Sequence, residues 1–510
     1  MEPYTWLEFP SPVNFGRGFC LSTGKSVFVN RSAFQRTPHP QSVSTDFTYQ
    51  TPNSYSADRT HKPKPSQGDP PMRKQHLITL FSFLIALSLI LSACTPAAQP
   101  TQQVQPTAPP AEVEPTDLPA PTDAPEPTTP PEPTDVPVVA PEHNLTECVA
   151  EGEYDASIDY FPEKAEMTYT SGFTIEYFNH YKVVTVLTPW PGATEALQYA
   201  LVQCGTPAPE GFSEAQIIEV PIQSIVTLST TYLPFLDELG LLDHLVGLDD
   251  ATYVSNPTVL QMAAEGQLVS LGYGSGVNVE QALDLSPDLI MAYGSGAPDY
   301  DAHPVLMDAG LKVVINAEWM DTSPLGRAEW VKFIATFFNK EADGQTWFDG
   351  IAQEYIDLVA LAAAATEKPT VFANTDYQGT WYMPGGNSFG ATFLKDAGAT
   401  YLWADDTSTA SLPLAFEAVF DVAKDAQFWV NQGFVFSLTD LTALDARYAD
   451  FAAFQNGNVW NNDARTSPAG GNDYYESAVA HPEWVLADLI KIFHPDLLPD
   501  HEFVYYRQLQ

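Results

Sequence analysis

One stretch restricts the folds open to this chain more than any other: residues 339–365, NKEADGQTWFDGIAQEYIDLVALAAAA. Trp347, Phe348, Ile351, Ala352, Tyr355, Ile356, Val359 and Ala363 recur at three- and four-residue spacing, an amphipathic stripe of helical period. Lys368-Pro369 ends the run, because proline cannot continue a helix and biases its predecessor towards extended backbone. At 1.5 Å per residue the rod is roughly 35–40 Å long. Stretches of βα-like pattern of similar size lie on either side. A rigid rod joining two α/β halves, with a cleft between them, is therefore expected. The plainer alternative is an ordinary packed helix inside one larger domain.

The chain has 510 residues, room for two or three domains. A formal net charge of −42 argues against nucleic acid and against attraction to anionic lipid surfaces. Ten tryptophans and 23 tyrosines matter more, since stiff aromatic side chains suit a binding site, although most such residues are core.

Residues 1–71 show no periodicity and are expected to be a disordered leader ahead of the true start at Met72. From there a short basic head, an apolar run over 77–91 and a small-residue region form an export signal, 72–94. Its apolar run of about 15 residues is short for a membrane span, which needs about 20. The ending Leu91-Ser92-Ala93-Cys94 resembles the lipobox of bacterial lipoproteins, which implies lipidation of Cys94 and an extracytoplasmic, membrane-anchored protein. Such a protein sits in the periplasm or on the outer face of the cytoplasmic membrane. Residues 95–143 are rich in Pro, Thr and Glu and read as a tether: proline stiffens the segment, like charges extend it, and little in it could pack a core. Of the remaining cysteines, Cys20 lies in the leader. Cys148 and Cys204 flank a strand-like stretch in an oxidising compartment, and a disulfide between them is expected. Two buried thiols or a metal pair are the alternatives, the latter lacking neighbouring Cys or His ligands.

From about residue 224 the text turns to α/β alternation. Strands are expected at 225–228, 244–248, 289–293, 312–315, 370–373 and 428–430. Helices are expected at 233–239, from 279, at 305–309, 327–338 (amphipathic), 389–397, 416–423 and 481–493. Such alternation favours parallel sheets with helices on both faces.

The blocks Ile225-Val226-Thr227-Leu228-Ser229, Leu236-Asp237-Glu238-Leu239-Gly240 and Leu245-Val246-Gly247-Leu248-Asp249 come in a fixed order. They are followed by Leu271-Gly272-Tyr273-Gly274, Asn278-Val279-Glu280 and Leu285-Ser286-Pro287-Asp288-Leu289-Ile290. In that order they resemble the periplasmic solute-binding proteins of ABC importers for ferric siderophores, haem and cobalamin, over about 223–493. The resemblance implies two Rossmann-like lobes, 223–338 and 369–510, joined by one long helix within 339–368, with ligand held in the cleft. Residues 144–222 depart from that pattern as an added N-terminal segment. A metal chelate carrying Fe3+ or cobalt is the implied ligand, an ABC permease and ATPase the implied partners, and a monomer without cofactor of its own the implied state.

Glu280 and Glu417 each stand at a helix start in corresponding places of the two halves. Capping explains them by itself, since a carboxylate near a helix N-terminus is favoured by about 0.3–1 kcal/mol. The resemblance implies that each also docks on a permease arginine. Candidate ligand-binding residues are Tyr273, Tyr293, Trp319, Arg327, Trp381, Trp460 and Arg465. The tyrosines lie among glycines on loops, Trp381 precedes a Gly-Gly pair, and Arg327 is suited to pairing with a carboxylate or catecholate oxygen. Gly-x-Ser-x-Gly, Walker and His-Glu-x-x-His motifs are absent, and the histidines lack ligand spacing. A non-enzymatic binding protein is therefore expected. The competing reading is a surface lipoprotein enzyme or glycan binder using the same aromatic cleft.

Overall fold

A computed structural model describes residues 140–510, all within one compact unit. The leader, the signal with Cys94 and nearly all of the tether lie outside the described residues. Two five-stranded sheets form the body. In lobe 1, β5 (Ile225–Thr227), β6 (Leu245–Leu248), β7 (Val269–Ser270), β8 (Leu289–Ala292) and β9 (Val313–Ile315) are parallel, in the order β7-β6-β5-β8-β9. In lobe 2, β10 (Thr370–Ala373), β13 (Thr400–Tyr401), β15 (Phe428–Val430) and β16 (Val459–Asn461) are parallel. Antiparallel β17 (Arg507–Gln508) completes the order β13-β10-β15-β16-β17. The central strands bury both faces, which is why they read as unbroken apolar runs.

The linking helix, Glu341–Ala363, runs between the lobes. Glu341 and Asp343 in its first turn suit its dipole. Gly344, Phe348, Ala352, Tyr355 and Ala362 are its buried stripe, while Ile356 of the expected stripe points outward. The last helix, Pro482–Phe493, packs along it.

Three features depart from the sequence-based expectation. The single strand-like stretch 172–187 is a hairpin, β1 (Phe173–Tyr177) and β2 (Tyr181–Val186), in a four-stranded sheet with β3 (Leu197–Gln203) and β4 (Ile217–Val220). A three-stranded sheet of β11 (Asp376–Tyr377), β12 (Thr380–Pro384) and β14 (Ser411–Leu414) decorates lobe 2. The expected amphipathic helix at 327–338 is two helices, Pro324–Ala328 and Val331–Phe337, and the second is buried on every side. Its outer face is covered by the added segment: Phe173 packs on Trp330 and Phe333 at ring distances of 4.7 and 5.3 Å.

That segment is bonded in as well as packed. Cys148 and Cys204 form a disulfide 56 residues apart in sequence. Fully buried Lys182 pairs with Glu341 at the start of the linking helix and also donates to Asn339 Oδ1 at 2.9 Å. Glu329, itself paired with buried Lys332 at 2.9 Å, accepts the backbone N–H groups of Thr168, Tyr169 and Thr170 at 2.6–2.8 Å. An isolated charge in such surroundings would cost several kcal/mol, so these ions are held only because each has a partner and further hydrogen bonds.

Candidate functional site

In an open α/β sheet the loops leaving neighbouring strands part where the strand order reverses, and a crevice opens at the strands' carboxyl ends. That reversal falls between β5 and β8 in lobe 1 and between β10 and β15 in lobe 2. The two sets of loops face each other. Glu476, beyond β16, accepts the backbone N–H groups of Ser255 and Asn256, beyond β6, at 2.7 Å each. Asn256 in turn caps the helix Pro257–Ala264 by accepting from Thr258 N and Val259 N, so the carboxylate meets a helix N-terminus. Gly471 lies so near the Tyr253 carbonyl that a Cβ there would stand 2.4 Å from it. Only glycine permits that approach. At the far side Arg327 stacks over Phe389 of lobe 2 at 4.6 Å. Near the linking helix, His481 of lobe 2 pairs with Glu238 of lobe 1 at 3.0 Å, and Trp347 Nε1 donates to the same carboxylate at 2.9 Å.

Aromatic side chains stand on the loops that follow the strands in both lobes. Lobe 1 offers Tyr253, Tyr273 and Tyr300, all exposed, and half-buried Tyr293, whose hydroxyl donates to Tyr300 O at 3.2 Å. Lobe 2 offers Phe434, Phe436 and Tyr475, of which Phe434 is 77% exposed. Tyr475 keeps about half its surface accessible while burial raises its phenol pKa, as expected on the wall of a concavity. Large apolar rings left this open usually mark a contact surface.

Of the sequence candidates, Tyr273 stands on the rim between Gly272 and Gly274, both at positive φ. Trp319 is half-buried in the turn Glu318–Met320 directly after β9. Arg327 donates to Glu318 Oε2 through Nε and Nη2, at 3.1 and 2.7 Å. Trp460 lies on β16 with its ring tilted against Phe503 at 4.9 Å. Arg465, in the loop beyond β16, pairs with Asp473 at 3.0 Å. Trp381 does not line the crevice. It is 0% exposed, packs among Phe372, Trp429, Phe416, Tyr448 and Phe451, and donates to Ala373 O at 2.9 Å. Glu280 and Glu417 are exposed in the first turns of the helices Val279–Leu285 and Phe416–Ala423, and Glu417 is paired with Arg447 at 2.9 Å.

Several residues of the strand-end loops escaped the sequence reading: Asp249, Gln432, Phe434, Phe436 and Glu476. Asp249 follows β6, and burial pushes its carboxyl up to about 6 against the opposing pull of its backbone hydrogen bond. Burial likewise drives Glu476 up to about 7, with Asp473 and Asp249 adding to the rise. His481 runs the other way: burial lowers it, but hydrogen bonds to Glu238 and Glu483 win and hold it at about 9. Among the described residues no group of three or more His, Cys, Asp or Glu is placed to hold a bare metal ion.

The fold is thus two α/β lobes bridged by one long helix, with exposed aromatic side chains on loops after the strands of both lobes. Residues 225–466 match the family model described as periplasmic binding protein. Two uncharacterized lipoproteins of Methanocaldococcus jannaschii are similar in sequence. MJ0878 is 24% identical over 55% of this chain and 67% of its own length, and MJ0872 is 25% identical over 61% and 80%. A periplasmic heme binding protein from Pseudomonas aeruginosa superposes with a TM-score of 0.41 at 22% identity, over 54% of this chain and 94% of that one.

Proposed function

We propose that this chain is the solute-receiving component of an ABC importer. It captures an iron(III) complex (a siderophore or haem) or cobalamin and delivers it to a permease driven by an ATPase. The exposed aromatic side chains on the strand-end loops of both lobes are the observation that carries this reading: flat or ring-shaped chelates present the broad apolar faces that such rings bind. Tyr273, Tyr293, Trp319, Arg327, Trp460 and Arg465 are the ligand-facing residues in this reading. Glu280 and Glu417 are the docking points for the permease. Cys94 carries the lipid anchor on the extracytoplasmic side, a placement supported by the two lipoprotein relatives.

Thermal-shift screening against ferric siderophores, haem and cyanocobalamin tests the ligand class. A ligand at 100 times its Kd adds about 2.7 kcal/mol of stability. At least one member of the panel is expected to raise Tm. Silence across the panel, with a rise for oligosaccharides, overturns the proposal.

A further inference from the structure

The charge of the crevice narrows what it can hold. Three arginines stand in or beside the loops at the carboxyl ends of the strands, and a carboxylate already neutralises each: Arg327 by Glu318 at 2.7 Å, Arg465 by Asp473 at 3.0 Å and Arg507 by Asp463 at 2.6 Å. No other lysine or arginine occurs in the described loops that leave those ends, 228–232, 249–256, 271–278, 293–302, 374–379, 402–410 and 431–437. Several carboxylates there have no cationic partner, Asp249 and Glu476 among them. Asp249 Oδ1 accepts the Asp250 amide at 2.8 Å, and Glu476 is held by the backbone of Ser255 and Asn256. The unbalanced charge is therefore negative, and it sits where water is scarce and fields are least screened.

A second observation places a ligand-facing surface at the same strand ends. Gln432, directly after β15 and 1% exposed, has neither its amide nitrogen nor its amide oxygen bonded to the protein. Asn462 Oδ1 after β16 and Thr227 Oγ1 at the end of β5 are likewise buried without a protein partner. Polar atoms left this way inside a fold cost free energy unless something else meets them. Neutral amides and hydroxyls are partners for amide, hydroxyl or hydroxamate groups, and they supply no positive charge for an acidic ligand.

Resting on the importer reading above, the geometry points to a crevice that admits solutes without net negative charge. Asp249 meets a cationic or N–H-bearing group of the solute, and the Gln432 and Asn462 amides meet its neutral polar groups. Carboxylate-bearing macrocycles and anionic catecholate complexes are excluded by charge.

Tryptophan-fluorescence titration of the folded chain at pH 7.5 tests this with four probes. Ferrioxamine B is cationic and cyanocobalamin neutral and amide-rich; ferric enterobactin is trianionic and haem carries propionates. Binding is expected from the first two only, and Asp249→Asn is expected to weaken ferrioxamine B at least fivefold more than cyanocobalamin. Tight binding of ferric enterobactin or haem overturns the charge inference and leaves the importer reading standing. Equal affinity of wild type and Asp249→Asn for ferrioxamine B also overturns it. No binding by any of the four overturns the importer reading and this inference with it. The charge preference of the wild-type protein is measured independently of whether the variant folds.

Discussion

Glu476 holds a charge that its surroundings resist. Its side chain is buried, it clasps the opposite lobe, and its pKa rises to about 7 from an ordinary 4.5. A carboxyl whose pKa is raised by folding binds its proton more tightly in the folded state. Its stabilising contribution is therefore complete below about pH 4.5 and is lost as pH climbs through 7, a difference of about 3 kcal/mol over that window. Glu476→Gln keeps an acceptor for Ser255 and Asn256 but removes the titration. Urea midpoints measured from pH 4.5 to 8 should decline less steeply in the variant, and identical slopes would refute the role. At this scale the sequence was only partly legible. Trp381 and Tyr293 both lie within two residues of a glycine, yet Trp381 is core and Tyr293 stands half-buried at the end of β8. The alternation of β12 sends residues 381 and 383 to one face and 380, 382 and 384 to the other, but which face is inward depends on β14, about thirty residues away. Asp249 carried no local signal, because its pKa comes from burial that only the folded lobes create.

Among the elements, the linking helix was plain in the sequence, because its 3.6-residue period persists for six turns and a proline marks its end. The helix Val331–Phe337 was misjudged for a physical reason. An amphipathic pattern assumes one solvated face, and here the added segment removes the solvent. The two helices meet at Gly344, where a Cβ would stand 2.9 Å from the Cβ of Ala335. Alanine ordinarily outdoes glycine inside a helix by about 1 kcal/mol. At this position the sign should reverse, since overpacking a tight contact costs about 1–3 kcal/mol. Gly344→Ala is expected to lower stability in chemical denaturation, whereas Gly350→Ala, on the open side of the same helix, should not. A stabilised Gly344→Ala would show that the two helices are looser than their geometry implies.

For the whole molecule, the order of βα units made the two-lobed fold legible, since parallel strands need helical crossovers and the crossovers leave their period in the text. The four-stranded sheet of the added segment was not legible as a sheet, because short strands broken by turns carry little period. The disulfide Cys148–Cys204 fastens that sheet. Closing a loop of 56 residues restricts the unfolded chain enough to stabilise by about 4 kcal/mol in the chain-entropy view. Reduction, or paired Cys→Ser replacement, should shift the urea midpoint downward, and an unmoved midpoint would mean the sheet holds without it. The docking reading is testable at the same scale: Glu280→Lys with Glu417→Lys should abolish uptake in cells while solute affinity in solution is unchanged. Loss of affinity would place those glutamates elsewhere in the mechanism.

The sandwiched helix Val331–Phe337 bears on how this protein can be cut. A fragment beginning near residue 223, where the family-model match starts, would present Trp330, Phe333 and a stranded Glu329–Lys332 pair to water. The boundary of the family-model match and the boundary of the packed unit thus fall about eighty residues apart. Truncation series should find cooperative unfolding only in fragments that retain the earlier start.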